Sequence, residues 1–316
     1  MISVGPPTTS TPFDELPSPE LDSEAIDFRA ASESFSPVHR LKRRDLRTLR
    51  ITAVHQGREV PTVGGLLLFG KDRLHRFPDA WIQAGRFQGT DRTRILDCAE
   101  IRSPPLKAVE EAIAFVQKHS TREMVIGEVR RADQWTIPPP ALREAVINAV
   151  VHRDYAQRGA PLRIALFDDR LEVENPGLLP FGLTVEDIRR GISKLCNRVM
   201  GRVFHELGLI ERWGSGIQRM TSACRAAGLE EPVFEEIGTH FRVTLSTLRA
   251  RPASLEEKDQ AIVEARSGGE GLSTQRISKA IGLSARATRT RLASLVDRGL
   301  VVEVGTGPRD PRHKVN

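Results

Sequence analysis

Three cysteines, one tyrosine and 5% aromatic residues in a chain of 316 narrow what this protein can be. Cys98, Cys196 and Cys224 stand apart with no C-x-x-C pair, and an odd, scattered count supplies neither a disulfide framework nor a zinc site. No apolar run reaches the roughly 20 residues of a membrane span, so no membrane partner is expected. The opening Met-Ile-Ser-Val-Gly-Pro-Pro lacks the basic and apolar regions of a signal peptide, and the expected compartment is the cytoplasm. Acids are fewer than bases: 47 Lys+Arg against 41 Asp+Glu leave a net +6 and a pI near 9.6. That excess permits a nucleic-acid partner without requiring one. What is present, 39% hydrophobic and 28% charged residues, is ordinary for a globular protein of about two domains.

The charge is unevenly placed. Residues 1–36 carry seven acids and a single base, Arg29, among Pro6, Pro7, Pro12, Pro17 and Pro19. This composition predicts an extended, poorly packed arm over 1–40. Basic residues then cluster from His39 to Arg44, with Arg47 and Arg50 beyond. Leu41, Leu46, Leu49 and Ile51 make that stretch an expected amphipathic helix with a solvated basic face.

Gly65-Leu-Leu-Leu-Phe-Gly70-Lys71-Asp72 has the outline of a phosphate-cradling loop, but not its chemistry. Such a loop needs exposed backbone amides and a hydroxyl after the lysine. Here the interior is apolar and the last position is an acid, so a short buried strand or helix turn is expected. The chain carries no paired P-loop motor of the kind a helicase needs.

The informative stretch runs from Ala141 to Tyr155, after three prolines (Pro138 to Pro140) that suit a helix start. Leu142, Ala145, Val146, Ala149 and Val150 recur at helical spacing, and Glu144, Asn148 and His152 follow one another at i, i+4, i+8. Asn148 lies in a run so apolar that its amide must find a partner. One reading is a nucleotide site: an amide oxygen is a hard ligand for Mg²⁺ on a triphosphate, and a carboxylate one turn earlier can position or deprotonate a water. The other is a packed helix whose Asn148 and His152 bond neighbouring backbone.

Around it the chain alternates between elements. Trp81 to Glu100 reads as paired strands, and Pro105 to His119 as an amphipathic helix. Leu162 to Gly177 reads as two strands about an Asp168-Asp169 turn, stopped at Asn175-Pro176-Gly177. Gly214-Ser-Gly216 opens a helix through Met220 and Cys224, where exposed amides can receive an anion. Phe241 to Leu248 reads as a last strand.

Three ordered motifs together carry a resemblance. They are Glu144-x-x-x-Asn148-Ala-x-x-His152-Arg153-Asp154-Tyr155, Arg170-Leu-Glu-Val-Glu-Asn175-Pro176-Gly177-Leu-Leu-Pro180-x-Gly182, and Gly208-Leu-Ile-Glu-Arg-Trp-Gly214-Ser-Gly216-Ile. Over roughly residues 40–248 they resemble the divergent Bergerat-type (GHKL) ATPase domain of RecG-like helicase-related and transcriptional-regulator proteins. The resemblance implies an α+β fold. A Bergerat-type α/β sandwich, a mixed sheet with helices on one face, would occupy 41–250. It implies ATP and Mg²⁺ as cofactors, with Asn148 holding the metal and phosphates, Glu144 activating water, and His152 among the nucleotide contacts. Gly214 and Gly216 would lie over the phosphates. Asn175 with Gly177 stands where related domains carry an aspartate that reads adenine. An amide is not a charged acceptor, but its oxygen accepts one bond from an exocyclic amine. In that family a Schlafen-like, Alba-type DNA-binding domain usually precedes this one. Residues from about Pro12 to Leu46 resemble its tail, so the expected chain is shortened or split from that partner.

The stretch 255–316 reads as a separate module. Ala261 to Val263 lie in a first helix, Thr274 to Ile281 in a second, and Ser284 to Arg298 in a third. A strand from Leu300 to Val304 then enters a glycine-containing wing. This order resembles a winged helix-turn-helix. Thr288, Leu292, Leu295 and Val296 suit the core side of the third helix, which leaves Arg286, Arg289 and Thr290 outward as candidate contacts to double-stranded DNA. The module holds 11 Lys+Arg against 8 Asp+Glu, and Arg309, Arg312, His313 and Lys314 fall at its wing. The other reading is a protein-contact or dimerisation module.

The function expected is a DNA-binding transcriptional regulator with a divergent ATP-binding sensor domain. The alternative is an ATP-hydrolysing enzyme of DNA metabolism with Glu144 as general base. A third reading makes the central fold a scaffold that binds no nucleotide and forms a homodimer.

Overall fold

A computed structural model describes residues 11–120, 122–126, 131–211, 214–248, 261–262, 272–297, 301–303 and 312–315. The chain divides into two compact units, Met1–Ala250 and Arg251–Asn316.

In the first unit, two short 3-10 turns, Phe13–Glu15 and Ser23–Ala25, precede α1 (Phe28–Phe35) and α2 (Arg43–Thr48). A hairpin of β1 (Thr52–His55) and β2 (Arg58–Pro61) leads to α3 (Val63–Phe69) and the single turn α4 (Arg73–Arg76). Strands β3 (Ile82–Phe87) and β4 (Ile95–Ile101) are followed by α5 (Pro105–His119), a small hairpin of β5 (Arg122–Ile126) and β6 (Arg131–Trp135), and α6 (Pro139–His152). Then come β7 (Leu162–Leu166), β8 (Arg170–Pro176), α7 (Val185–Arg189), α8 (Arg198–Glu206), α9 (Gly216–Ala226), β9 (Val233–Ile237) and β10 (His240–Ser246).

Six strands form one mixed sheet in the order β4-β3-β7-β8-β10-β9, in which β3 and β7 are parallel and the other pairs antiparallel. Helices α5 and α6 pack on it, and α9 packs on α6, as in an α/β sandwich. Alternation along β8 sends Leu171, Val173 and Asn175 to the helical side and Glu172 and Glu174 to the other. Those two glutamates are buried at 6% and 7% exposure. Each is matched by arginines: Glu172 with Arg92 and Arg170, Glu174 with Arg92, Arg163 and Arg242. Pairing of this kind offsets the cost of burying a carboxylate.

The predicted elements 105–119, the 162–177 hairpin and the paired strands near 81–100 are found. The 141–155 helix starts at Pro139 and ends at His152, with proline in its first turn, where no amide hydrogen is needed. Two expectations fail. The basic segment near 39–51 is helical only over Arg43–Thr48, because Arg50 takes a left-handed conformation (φ 59°) and its carbonyl accepts from Thr62 Oγ1 at 2.7 Å. All four of its predicted apolar residues are buried nonetheless.

The acidic arm, where described, is not loose. Ile26, Ala31 and Phe35 join the main core, and Asp14 is fully buried. The Asp14 carboxylate accepts from the amides of Arg198, Val199 and Met200 at 3.0, 2.7 and 3.0 Å, satisfying the otherwise unpaired start of α8. Burial pushes its carboxyl up to about 6, against the opposing pull of those amides. The false phosphate loop also finds its explanation. Every residue of α3 is buried, and a Cβ on Gly65 would meet the Ile51 carbonyl oxygen at 2.1 Å, so the glycine serves close packing.

In the second unit, the helices Thr274–Ile281 and Ala285–Asp297 are joined through Gly282 in a left-handed conformation (φ 65°). Strands β11 (Leu272–Ser273), β12 (Val301–Glu303) and β13 (Arg312–Val315) form an antiparallel sheet in the order β11-β13-β12. Ile262, Ile277, Leu292, Leu295 and Val301 make its core. Thr288 is buried and Arg286, Arg289 and Thr290 are exposed. Val263 and residues 304–311, Arg309 among them, lie outside the described residues, while Arg312, His313 and Lys314 of the expected wing fall in β13.

Replacing Asp14 by Ala strands three amides at the start of α8. The expected loss is about 1–3 kcal/mol of unfolding free energy, measured from urea midpoints. A change below about 0.5 kcal/mol would show that the arm does not hold α8.

Candidate nucleotide site

Helix α6 buries nine of its fourteen residues, Glu144 among them. Its polar line of Glu144, Asn148 and His152 opens into a cavity of about 140 Å³, far above the ~10–15 Å³ that one water needs. Strands β8 and β10 contribute Val173, Asn175, Phe241 and Val243 to the lining, α9 contributes Gly216, Ile217, Arg219 and Met220, and the segment 177–196 with Ile210, Glu211 and Gly214 forms the rest of the rim. All seven predicted nucleotide-site residues, Glu144, Asn148, His152, Asn175, Gly177, Gly214 and Gly216, line this one cavity, although they come from three separate stretches of chain.

The glycines set its dimensions. Gly214 has φ 66°, and a Cβ there would come within 2.8 Å of the Gly191 carbonyl oxygen. At Gly216 a Cβ would fall 2.6 Å from Glu144 Oε2 and 3.3 Å from Asn148 Nδ2. With Glu144 and Asn148 in these positions, a side chain at Gly216 would displace their polar ends.

Polar groups in the cavity differ in how far the protein satisfies them. Asn175 is 5% exposed, and its Oδ1 is buried with no hydrogen-bond partner, an unmet acceptor among apolar neighbours. Glu144 is met: Arg219 Nε and Nη2 donate to its Oε1 at 3.1 and 2.9 Å. His152 Nδ1 lies 3.3 Å from Cys196 Sγ. Burial lowers the imidazole to about 4 and raises the Cys196 thiol to about 11, so both are neutral at pH 7.

The rest of the His152-Arg153-Asp154-Tyr155 run works structurally. Arg153 donates to the carbonyls of Asp79, Trp81 and Ala160, and Tyr155 donates to Val150. Asn197 Nδ2 donates to the carbonyls of Val151 and Arg153 at 2.9 and 2.7 Å, closing the end of α6. Sequence reasoning missed Arg219 and Cys196 as cavity residues. Arg219 had a signal, since it lies three residues after Gly216 on the same helix face. Cys196 had none. Among the described residues no cluster of three or more His, Cys, Asp or Glu could hold a metal, and no helix is long and apolar enough to cross a membrane.

Comparison with known proteins adds two findings. The family model described as "Putative ATP-dependent DNA helicase recG C-terminal" matches residues 159–245, which hold Asn175, Gly177, Gly214, Gly216 and Arg219 but not α6. The crystal structure of the DIP2311 protein from Corynebacterium diphtheriae is similar in fold, with a TM-score of 0.62 at 16% identity over 97% of this chain and 70% of that one. No curated protein matches. The first unit therefore contains an ATPase-like domain related to the RecG C-terminal family, which is compatible with ATP binding.

Because the folded imidazole of His152 lies below its unfolded value of 6.5, its contribution to stability is full above that pH and lost as the pH falls toward 4. Between pH 7 and pH 4.5, denaturant titrations should show the wild type losing stability relative to His152→Gln. Parallel responses of the two proteins would contradict the buried neutral imidazole.

Proposed function

We propose that this protein is a DNA-binding transcriptional regulator whose ATPase-like domain binds ATP as a sensor. The observation that carries the nucleotide reading is Asn175 Oδ1, an acceptor left without a partner in a cavity that already gathers Asn148, Gly214 and Gly216. An exocyclic amine of adenine supplies the missing donor, and Val173, Phe241 and Val243 offer apolar surface for the ring. Gly214 and Gly216, at the positive end of α9, suit phosphates. Mg²⁺ commonly keeps several waters and takes one or two protein ligands beside phosphate oxygens, so a single amide oxygen from Asn148 fits such an ion. When bound, it would neutralise phosphate charge.

We read the second unit as a winged helix-turn-helix that meets double-stranded DNA. Support comes from the two helices joined at Gly282, the small antiparallel sheet, and the exposure of Arg286, Arg289 and Thr290 on the longer helix. The second reading, an ATP-hydrolysing enzyme of DNA metabolism, is favoured by Glu144 sharing the cavity with Asn148. Against it, Glu144 is engaged by Arg219.

Calorimetric titration of MgATP should show binding that Asn148→Ala and Asn175→Leu each weaken by about tenfold or more, and a phosphate-release assay on the same samples separates sensor from enzyme. Heat of binding unchanged by both substitutions would remove nucleotide from this cavity. For the DNA reading, the double variant Arg286→Ala, Arg289→Ala should weaken duplex binding and flatten the salt dependence by about two counterions. An unchanged slope would remove that helix from the interface.

A further inference from the structure

We propose that Arg219 reads the terminal phosphate of a nucleoside triphosphate, exchanging its bond to Glu144 for one to phosphate, so that the cavity distinguishes triphosphate from diphosphate. The inference rests on the nucleotide reading of this cavity and assigns a role to a residue outside the recognised motifs.

All three nitrogens of the Arg219 guanidinium are occupied by the protein's own oxygen atoms. Nε and Nη2 hold Glu144 Oε1 at 3.1 and 2.9 Å, while Nη1 donates to Ser215 Oγ at 2.8 Å and pairs with Glu211. These contacts gather at the start of the eleven-residue α9. Ser215, its N-cap residue, gives that helix no side-chain cap and donates to Glu211 Oε2 at 2.9 Å instead. The other Glu144 oxygen sits in the space that Gly216 leaves open. A carboxylate thus occupies, beside a guanidinium fork and an uncapped helix start, the kind of place that suits a phosphate.

The two partners are unequally fixed. The Glu144 side chain is 8% exposed on the packed helix α6, whereas that of Arg219 is 36% exposed and lines the cavity. The arginine is the more exposed partner and the one able to turn toward a ligand in the cavity. A terminal phosphate offers more charge and more acceptor oxygens than a carboxylate, and a planar fork engages it through two parallel bonds. A diphosphate that leaves the terminal position unfilled leaves the Glu144–Arg219 pair intact. A triphosphate draws Arg219 away, and Glu144 then keeps only the longer 3.9 Å contact with Arg143 beside Asn148, changed by which nucleotide is bound. The arginine is a binding residue toward phosphate and a positioning residue toward Glu144.

The test is calorimetric titration of the full chain with MgADP and with the magnesium complex of a non-hydrolysable β,γ-imido ATP. Arg219→Ala should weaken the triphosphate analogue by about tenfold or more while ADP affinity stays within about twofold, and retained ADP binding shows that the variant is folded. Arg219→Lys, which keeps charge but loses the fork, should fall between. Glu144→Gln releases the arginine and should tighten the triphosphate analogue selectively. Equal effects of Arg219→Ala on both nucleotides, no effect on either, or no selective gain in Glu144→Gln would overturn the proposal. If the wild type bound neither nucleotide, the reading of the cavity itself would fall, and this assignment with it.

Discussion

A helix buried on most of its surface must find partners for each polar group it carries inward, and α6 is built around that demand. Eight of its nine buried residues are apolar and fix it against the sheet and α5; the ninth is Glu144. A lone buried carboxylate is costly. The cost is met by bringing α9 close enough for Arg219 to fork onto it, with Gly216 facing Glu144 and Asn148 and Gly214 packed against Gly191 and Ser193. The cavity is the space left where these helices, β8 and β10 meet.

The same constraint is handled differently across the sheet. Glu172 and Glu174 on the far side of β8 are ringed by arginines, and desolvation of Glu174 is outweighed by the Arg242 hydrogen bond and neighbouring guanidinium charges, which hold its carboxyl below the usual range. At Asn175, one residue further along the strand, no partner is provided. Within a single strand, then, the protein satisfies two buried acids and leaves one buried amide oxygen open, on the face that borders the cavity. That contrast is the physical basis for assigning a ligand there.

Much of this was legible in the sequence wherever periodicity or a proline spoke locally. The stripe of α5, the proline-led start of α6 and the alternation of Arg170 to Asn175 depend on near neighbours, and the structure follows them. The residues of the cavity were legible as motifs, though their meeting needed the fold. What escaped notice depended on distant partners. Arg50 gives no composition signal of its left-handed turn, which is fixed by Thr62. The acidic, proline-rich arm reads as loose because Asp14 finds its three amides some 184 to 186 residues away. Gly65 imitated a phosphate loop because close helix packing and phosphate approach ask for the same small residue.

The most direct test of the account is a crystal structure of the full chain with the magnesium complex of a non-hydrolysable ATP analogue. The purine amine is expected at Asn175 Oδ1, the phosphates at the start of α9 near Gly214 and Gly216, and Asn148 on the metal. An analogue bound elsewhere, or this cavity unchanged at saturating nucleotide, would contradict it.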